Sequence, residues 1–248
     1  MSKIYEALQH ARKEVEVIQP PQMVPVQQQS LNVYTPEGEE TGQEKALLSL
    51  YQRIDALLAG ARQKVVQFIG SRAGEGASTI TREFAKICAN KLNKSVLIMD
   101  ADQQNPKQHT LSGFTPEYGW EDVLKNGGDI DKAIYKMKES SLYICPVSPN
   151  VVITHHIFDS PKIVDLWSKL KEHFDLVLVD SPPATTSPDG IAISRHVDGV
   201  ILVLEAEKTR WPVAIKAKET IEQHGGKLLG VVFNKRQFYI PDSIYRKL

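Results

Sequence analysis

The chain has 248 residues, 42% of them hydrophobic and 24% charged, with 15 glycines and 14 prolines. At roughly 100–200 residues per domain this is one large domain or two small ones, and the composition excludes a collagen-like, wholly disordered or coiled-coil chain. Thirty basic residues balance thirty acidic ones, so bulk-charge binding to nucleic acid loses support and a local basic patch remains open.

From the N-terminus, Ile4, Ala7, Leu8, Ala11 and Val15 follow a helical spacing and predict an amphipathic helix within residues 1–18, with Ser2 placed to cap it. Residues 19–40 carry four prolines and a glutamine run and read as a flexible linker. The front helix therefore lacks a local core, and two readings stand: it docks back on the main body, or it is a tethered peptide for a partner. A second helix is expected from Gln43 to Leu58, striped by Leu47, Leu50, Ile54 and Leu57, with Gly60 at its stop. The polar start is no secretory signal peptide, and no apolar run reaches the ~18–20 residues of a membrane span. The expectation is a cytoplasmic chain.

From Lys64 onward, apolar runs at 65–69, 95–99, 141–145, 175–179, 199–204 and 227–233 alternate with helical patterns, among them Ser78–Leu92, Ser160–His173 and Trp211–His224. Continuous apolar strands separated by helices predict an α/β fold: a doubly wound, mostly parallel sheet with helices on both faces, spanning residues 41–234. The stretch 110–140 is less regular, with a short helical segment near Glu121–Lys125. Cys88 and Cys145 sit in apolar runs and read as buried, reduced thiols. Trp120, Trp167 and Trp211 read as core or half-buried residues. His155 and His156 are adjacent, which in a strand sends them to opposite faces, and no third metal ligand accompanies them.

The strand at 65–69 runs into Gly70-Ser71-Arg72-Ala73-Gly74-Glu75-Gly76-Ala77-Ser78-Thr79, where a helix begins. Strand, glycine-rich turn and helix form the layout of a phosphate-binding loop. Gly74 and Gly76 let backbone N–H groups turn inward, and the helix N-terminus adds partial positive charge. The usual pattern ends in G-K-[ST]. Here Ala77 stands where the lysine that reaches the β/γ phosphates belongs, and Ser71 replaces the first glycine. Ser78 remains as a candidate Mg²⁺ ligand. A plain strand–helix turn is the competing reading, and the carboxylates weigh against it. Asp100 and Asp102 end one apolar strand and Asp180 ends another, where ligands of open α/β sheets bind and where carboxylates hold Mg²⁺ directly or through its waters.

The order GSRAGEGAST, VLIMDAD…NP, FDLVLVDSPP, VDGVILVLEA and LLGVVFN resembles the bacterial tyrosine kinase family, P-loop ATPases of capsule and exopolysaccharide synthesis. These are relatives of the cell-division and plasmid-partition ATPases with a deviant Walker A. The similarity covers about residues 40–234, and the front end and the tail FYIPDSIYRKL also resemble exopolysaccharide-locus members. The resemblance implies ATP or ADP with Mg²⁺ as cofactor. It places Gly74, Glu75, Gly76, Ser78 and Thr79 in the Walker A loop, and Asp100 and Asp102 as Walker A′ carboxylates near Mg²⁺ and the attacking hydroxyl. Asp180 becomes the Walker B residue, Ser78, Asp102 and Asp180 the metal ligands, and Asn234 the contact to adenine.

The departures bear on activity. Losing the cation at position 77 can remove several kcal/mol of transition-state stabilisation. Arg72 falls where the partition ATPases carry their signature lysine, and it is either a partial substitute or a solvated loop residue. Where these kinases show an arginine-rich D-x-R-x-P stretch, this chain reads Gln103-Gln104-Asn105-Pro106. The arginine positions of the preceding helix align with Leu48 and Tyr51, which puts ring assembly in doubt. The tail 235–248 has a net charge of +3 and only two tyrosines, Tyr239 and Tyr245, where active kinases end in a cluster. Basic residues with interleaved aromatics suit a partner or an anionic membrane face as well as simple packing.

The resulting expectation is a P-loop protein that regulates or scaffolds exopolysaccharide synthesis and export, with catalysis impaired by Ala77. Its implied partner is an inner-membrane polysaccharide co-polymerase or another export-complex protein, which would hold it peripherally at that membrane; self-association stays open. The rival expectations are an active tyrosine autokinase or ATPase, with Tyr239 or Tyr245 as phosphate acceptors, and a partition-type positioning ATPase.

Overall fold

The computed structural model describes residues 42–137, 140–151, 158 and 161–236. The expected front helix, the linker, the histidine pair at 155–156 and the tail tyrosines Tyr239 and Tyr245 lie outside the described residues. In chain order the elements are α1 (Gly42–Leu57), β1 (Lys64–Gly70), α2 (Ala77–Asn90), β2 (Val96–Asp100), α3 (Gln108–Leu111), α4 (Trp120–Asn126), a 3-10 turn (Ile130–Ala133), β3 (Tyr135–Lys136) and β4 (Leu142–Cys145). They continue with α5 (Pro161–His173), β5 (Leu176–Asp180), α6 (Pro188–Ser194), β6 (Gly199–Glu205), α7 (Trp211–Gln223) and β7 (Leu228–Asn234).

The strands form one sheet in the order β3-β4-β2-β5-β1-β6-β7. Every pairing is parallel except the short β3–β4 pair. The expected doubly wound, mostly parallel sheet is therefore present, and the side-chain clusters explain why its strands read as continuous apolar runs. On one face Val66 and Phe68 of β1 pack with Leu47 and Ile54 of α1 and Ile80, Phe84 and Cys88 of α2. On the other, Val65 of β1 and Val177 and Val179 of β5 pack with Trp120 of α4 and Ile163, Trp167 and Leu170 of α5. Ile69 and Leu202 meet Ile191 of α6 and Ile221 of α7. With period-2 alternation and both faces covered, every position of β1, β2 and β5 is buried, each full-sized apolar side chain contributing about 1.5–3 kcal/mol over exposure.

The structure differs from the sequence reading in several places. Trp211 is 74% exposed at the start of α7 and is no core residue, whereas Trp120 and Trp167 are buried as expected. The helix α6 was not anticipated, because its Ser187-Pro188 start reads as turn chemistry; Ser187 caps it by accepting the Asp189 N–H. The two-residue β3 pairs antiparallel with β4 in the stretch that lacked a clear period. Both cysteines are buried thiols on opposite faces of the sheet.

Gly119 fixes how closely α4 approaches the end of β4. A Cβ there would lie 2.1 Å from the Ser148 backbone nitrogen. Gly119→Ala should therefore destabilise the chain by about 3 kcal/mol, the upper range for overpacking. That lowers the melting temperature by roughly 10 °C in a domain this size; an unchanged melting temperature by calorimetry would contradict the close approach.

Candidate functional site

Parallel pairing brings the carboxyl ends of β2, β5, β1, β6 and β7 to one edge of the sheet. There the chain leaves β1 at Gly70 and enters α2 at Ala77. Gly74 and Gly76 sit at φ 87° and 93°, the left-handed region that favours glycine. At Gly76 a Cβ would also come within 2.1 Å of Asn234 Nδ2.

The loop is braced by its own residues and by its neighbours. The buried Glu75 carboxylate accepts from the Ser71 hydroxyl (2.8 Å), the Arg72 backbone N–H (2.9 Å) and the Thr209 hydroxyl. Thr185 donates its N–H and its hydroxyl to the Ser71 carbonyl at 3.2 and 2.7 Å. The Asn234 side-chain amide donates to the Glu75 carbonyl (2.9 Å), and the Lys235 ammonium donates to that of Gly74 (2.6 Å). So the Glu75 side chain braces the loop, and the end of β7 grips its backbone.

The three aspartates occupy different positions. Asp100 ends β2 opposite Asp180, which ends β5, and both are buried. Asp100 is wholly engaged by backbone donors: Asp102 N–H on Oδ1 (3.2 Å), and Lys107 and Gln108 N–H on Oδ2 (2.8 and 2.9 Å). It orders the turn that carries Asp102 and lies behind the cleft wall. Asp180 accepts from the Gln108 amide on Oδ2 (2.7 Å), while its Oδ1 has no hydrogen-bond partner among the described residues. Gln108 donates also to the Ser78 carbonyl (3.0 Å), tying β5 to the first turn of α2. Burial pushes both Asp100 and Asp180 above the usual carboxylate range; the Asp180 charge raises Asp100 further, and the Gln108 hydrogen bond and the nearby Ser78 hydroxyl moderate Asp180. Buried Gln67 of β1 adds a tether, donating to the Ser181 hydroxyl (2.8 Å) and the Gly190 carbonyl (2.6 Å).

Above these groups lies a cleft of about 560 Å³ lined by the loop from Arg72 to Thr79, by Asp102, Gln104, Asn105 and Lys107, and by Ser181, Pro183, Thr186 and Lys235. Its volume suits a small-molecule ligand. Of the expected site residues, Arg72, Gly74, Glu75, Gly76, Ala77, Ser78, Thr79 and Asp102 line it, and Asp100, Asp180 and Asn234 stand directly behind. Among the described residues no group of three or more His, Cys, Asp and Glu gathers for a metal. The donors present, one cleft carboxylate, one buried carboxylate with an unpaired oxygen, and the Ser78 hydroxyl, instead fit Mg²⁺, which keeps waters and takes one or two carboxylates plus substrate phosphates. Sequence reasoning missed Gln108, Lys107 and Lys235. Lys235 directly follows the Asn234 already singled out, so β7's end was the signal.

Behind Asp100, the Trp120 indole donates to the Asp100 carbonyl (2.8 Å), and the buried Glu121 accepts the Ser148 N–H (2.7 Å) on one oxygen. Burial pushes the Glu121 carboxyl up to about 8. The folded chain thus holds a proton that the unfolded chain releases near pH 4.5, and stability declines as pH rises from there to about 8. The decline approaches 1.4 kcal/mol per pH unit for one such group. Glu121→Gln should remove that part of the slope in urea titrations between pH 5 and 8; a variant with the wild-type slope would show that Glu121 does not titrate there.

Comparison with known proteins adds to this geometry. Residues 62–247 match the ParA family, described as NUBPL iron-transfer P-loop NTPase. The putative tyrosine-protein kinase CapB of Staphylococcus aureus is 25% identical over 195 residues, covering 78% of this chain and 85% of CapB. The tyrosine-protein kinase YwqD of Bacillus subtilis is 28% identical over 179 residues, covering 71% and 74%. Among solved structures, the chimerical protein CapA2B2 superposes with a TM-score of 0.74 at 25% identity, covering 82% of this chain and 88% of that one.

Proposed function

The chain belongs to the ParA family of P-loop NTPases, and from that footing we propose that it is a Mg²⁺-nucleotide-binding regulator or scaffold of exopolysaccharide synthesis and export whose phosphoryl transfer is impaired by Ala77. One observation carries the reading: Ala77 opens α2 at the mouth of a loop whose other phosphate-binding parts are assembled around one cleft. Loop N–H groups and the first turn of α2 hold the phosphates. Ser78, Asp102 and Asp180 hold Mg²⁺, which neutralises charge on the phosphate oxygens. Gln108 fixes Asp180, Asp100 fixes the turn bearing Asp102, and Asn234 anchors the loop at the Glu75 carbonyl; by resemblance it stands at the position that would contact the adenine.

The relatives named tyrosine-protein kinases favour this class over metal transfer. The two cysteines, buried on opposite faces of the sheet, supply no shared iron site. Among the described residues no helix is long and apolar enough to cross a membrane; attachment runs through a co-polymerase or another export-complex partner, with ATP or ADP occupancy as the signal that partner reads.

The test is incubation of the full chain with Mg²⁺ and ATP, followed by mass spectrometry of Tyr239 and Tyr245. The expected result is trace phosphorylation. Near-stoichiometric phosphotyrosine that disappears in Asp180→Asn would replace this reading with that of an active autokinase.

A further inference from the structure

Three cationic side chains line the cleft: Arg72, Lys107 and Lys235. They are not equivalent. Arg72 is exposed at the start of the loop, where its backbone N–H is held by Glu75. Lys107 lies on the wall with Asp102, and its charge acts on Asp102 and Asp180, which places it among the carboxylates. Lys235 stands over the phosphate loop itself, its ammonium 2.6 Å from the Gly74 carbonyl and 3.3 Å from Glu205 Oε2.

Three features make that placement specific. Lys235 adopts φ 57°, a left-handed turn uncommon for a side-chain-bearing residue, and this turn ends β7 at the cleft. The preceding residue, Asn234, is fixed on the Glu75 carbonyl, so the lysine starts from an anchored backbone. Glu205 divides its charge between Lys208, at 2.7 Å on Oε1, and Lys235, at the longer 3.3 Å on Oε2. The ammonium is thus poised over the loop at the end of a side chain that is 47% exposed, and a phosphate there outcompetes a neutral carbonyl for it.

We propose that Lys235 is the phosphate-binding cation of this site, reaching from the end of β7 to the phosphates over Gly74 in place of the lysine absent at position 77. The proposal deepens the nucleotide-binding reading and rests on it. Lys235 exchanges the Gly74 carbonyl and Glu205 for the ligand's phosphate oxygens. A cation delivered from β7 lies over the middle of the loop and not over the first turn of α2, so it supports binding more than transfer of the terminal phosphoryl group.

The test is calorimetric titration of the full chain with Mg²⁺-ADP and with AMP, comparing wild type, Lys235→Gln and Lys235→Arg at two salt concentrations. Lys235 is exposed, and the variants should melt with the wild type. Lys235→Gln should weaken ADP about tenfold, as expected for one charge-assisted hydrogen bond, with a smaller change for AMP and a shallower salt dependence; Lys235→Arg should restore most of the affinity. Ala77→Lys should improve ADP binding more in the Lys235→Gln background than in wild type, because the two cations serve one ligand. Wild type that binds ADP while Lys235→Gln binds it equally well would overturn the proposal and leave the nucleotide site standing. Equal losses in Gln and Arg variants, for ADP and AMP alike, would reduce Lys235 to a brace of the loop and also overturn it. Wild type that binds no ADP would overturn the nucleotide reading and this proposal together.

Discussion

Ala77→Lys should tighten Mg²⁺-ATP binding about tenfold and raise phosphate release by at least about a hundredfold, the larger effect falling on turnover. Ala77 is the first residue of α2, half-buried against the apolar cluster of α2 and β1 and lining the open cleft, so a longer side chain has the cleft to extend into. Its ammonium adds a charge-assisted hydrogen bond worth about 1.5–3 kcal/mol to bound phosphate. Negative charge that shifts onto the terminal phosphoryl oxygens during transfer gains more, because the donor is fixed in place before reaction. Calorimetry and a phosphate-release assay measure the two effects separately. Tighter binding without faster release would locate a catalytic deficit elsewhere in the cleft lining, at Gln104 or Asn105. No change in either would mean that the loop does not hold phosphates as proposed.

Asp180→Asn should move stability and metal dependence in opposite directions. Two buried carboxyls face each other across β2 and β5, and burial raises both. A raised carboxyl gives stability that is full below its unfolded value and is lost as pH climbs through the folded one. At pH 8 the wild type therefore carries a burden that asparagine lacks. The variant should be more stable by about 1–3 kcal/mol there, and the advantage should fade toward pH 4, where Asp180 is protonated. In the same protein Mg²⁺ should no longer strengthen nucleotide binding, because the buried Oδ1 that has no partner among the described residues is gone. Thermal melts at both pH values, with ADP titrations in the presence and absence of Mg²⁺, give the two readouts. A variant less stable at pH 8, or one that retains the full Mg²⁺ effect, would remove Asp180 from this role.

Much of this site was legible in the sequence because parallel sheets impose a rule on it. Runs such as 65–69 and 175–179 carry too many apolar residues for a one-faced strand, and parallel strands place their carboxyl ends on one edge. That rule alone gathers Asp100, Asp102, Asp180 and the glycine loop at one edge of the sheet. The sequence did not separate their roles. Asp100 lies behind the wall because three backbone N–H groups fold over it, and a turn of that kind has no residue signature in Gln103–Pro106. Glu75 lines the cleft and also braces the loop, a part the sequence did not reveal, since its partners Ser71 and Thr209 meet only when the loop after β6 lies against the loop after β1. Lys235 read as one charge of a basic tail; its place over Gly74 follows from β7 lying next to β6 at the sheet edge. Trp211 was misjudged for the converse reason, because an aromatic residue opening a helix has no periodic partner to reveal its face, and it points outward.

The most direct measurement is equilibrium binding of Mg²⁺-ADP and Mg²⁺-ATP to the unmodified full chain. The account predicts sub-millimolar affinity that depends on Mg²⁺ and weakens as salt rises, since backbone N–H groups, Mg²⁺ and Lys235 still hold the phosphates without a lysine at position 77. No binding by the wild type, with binding restored by Ala77→Lys, would contradict it and leave the fold as an assembly surface that has lost its ligand.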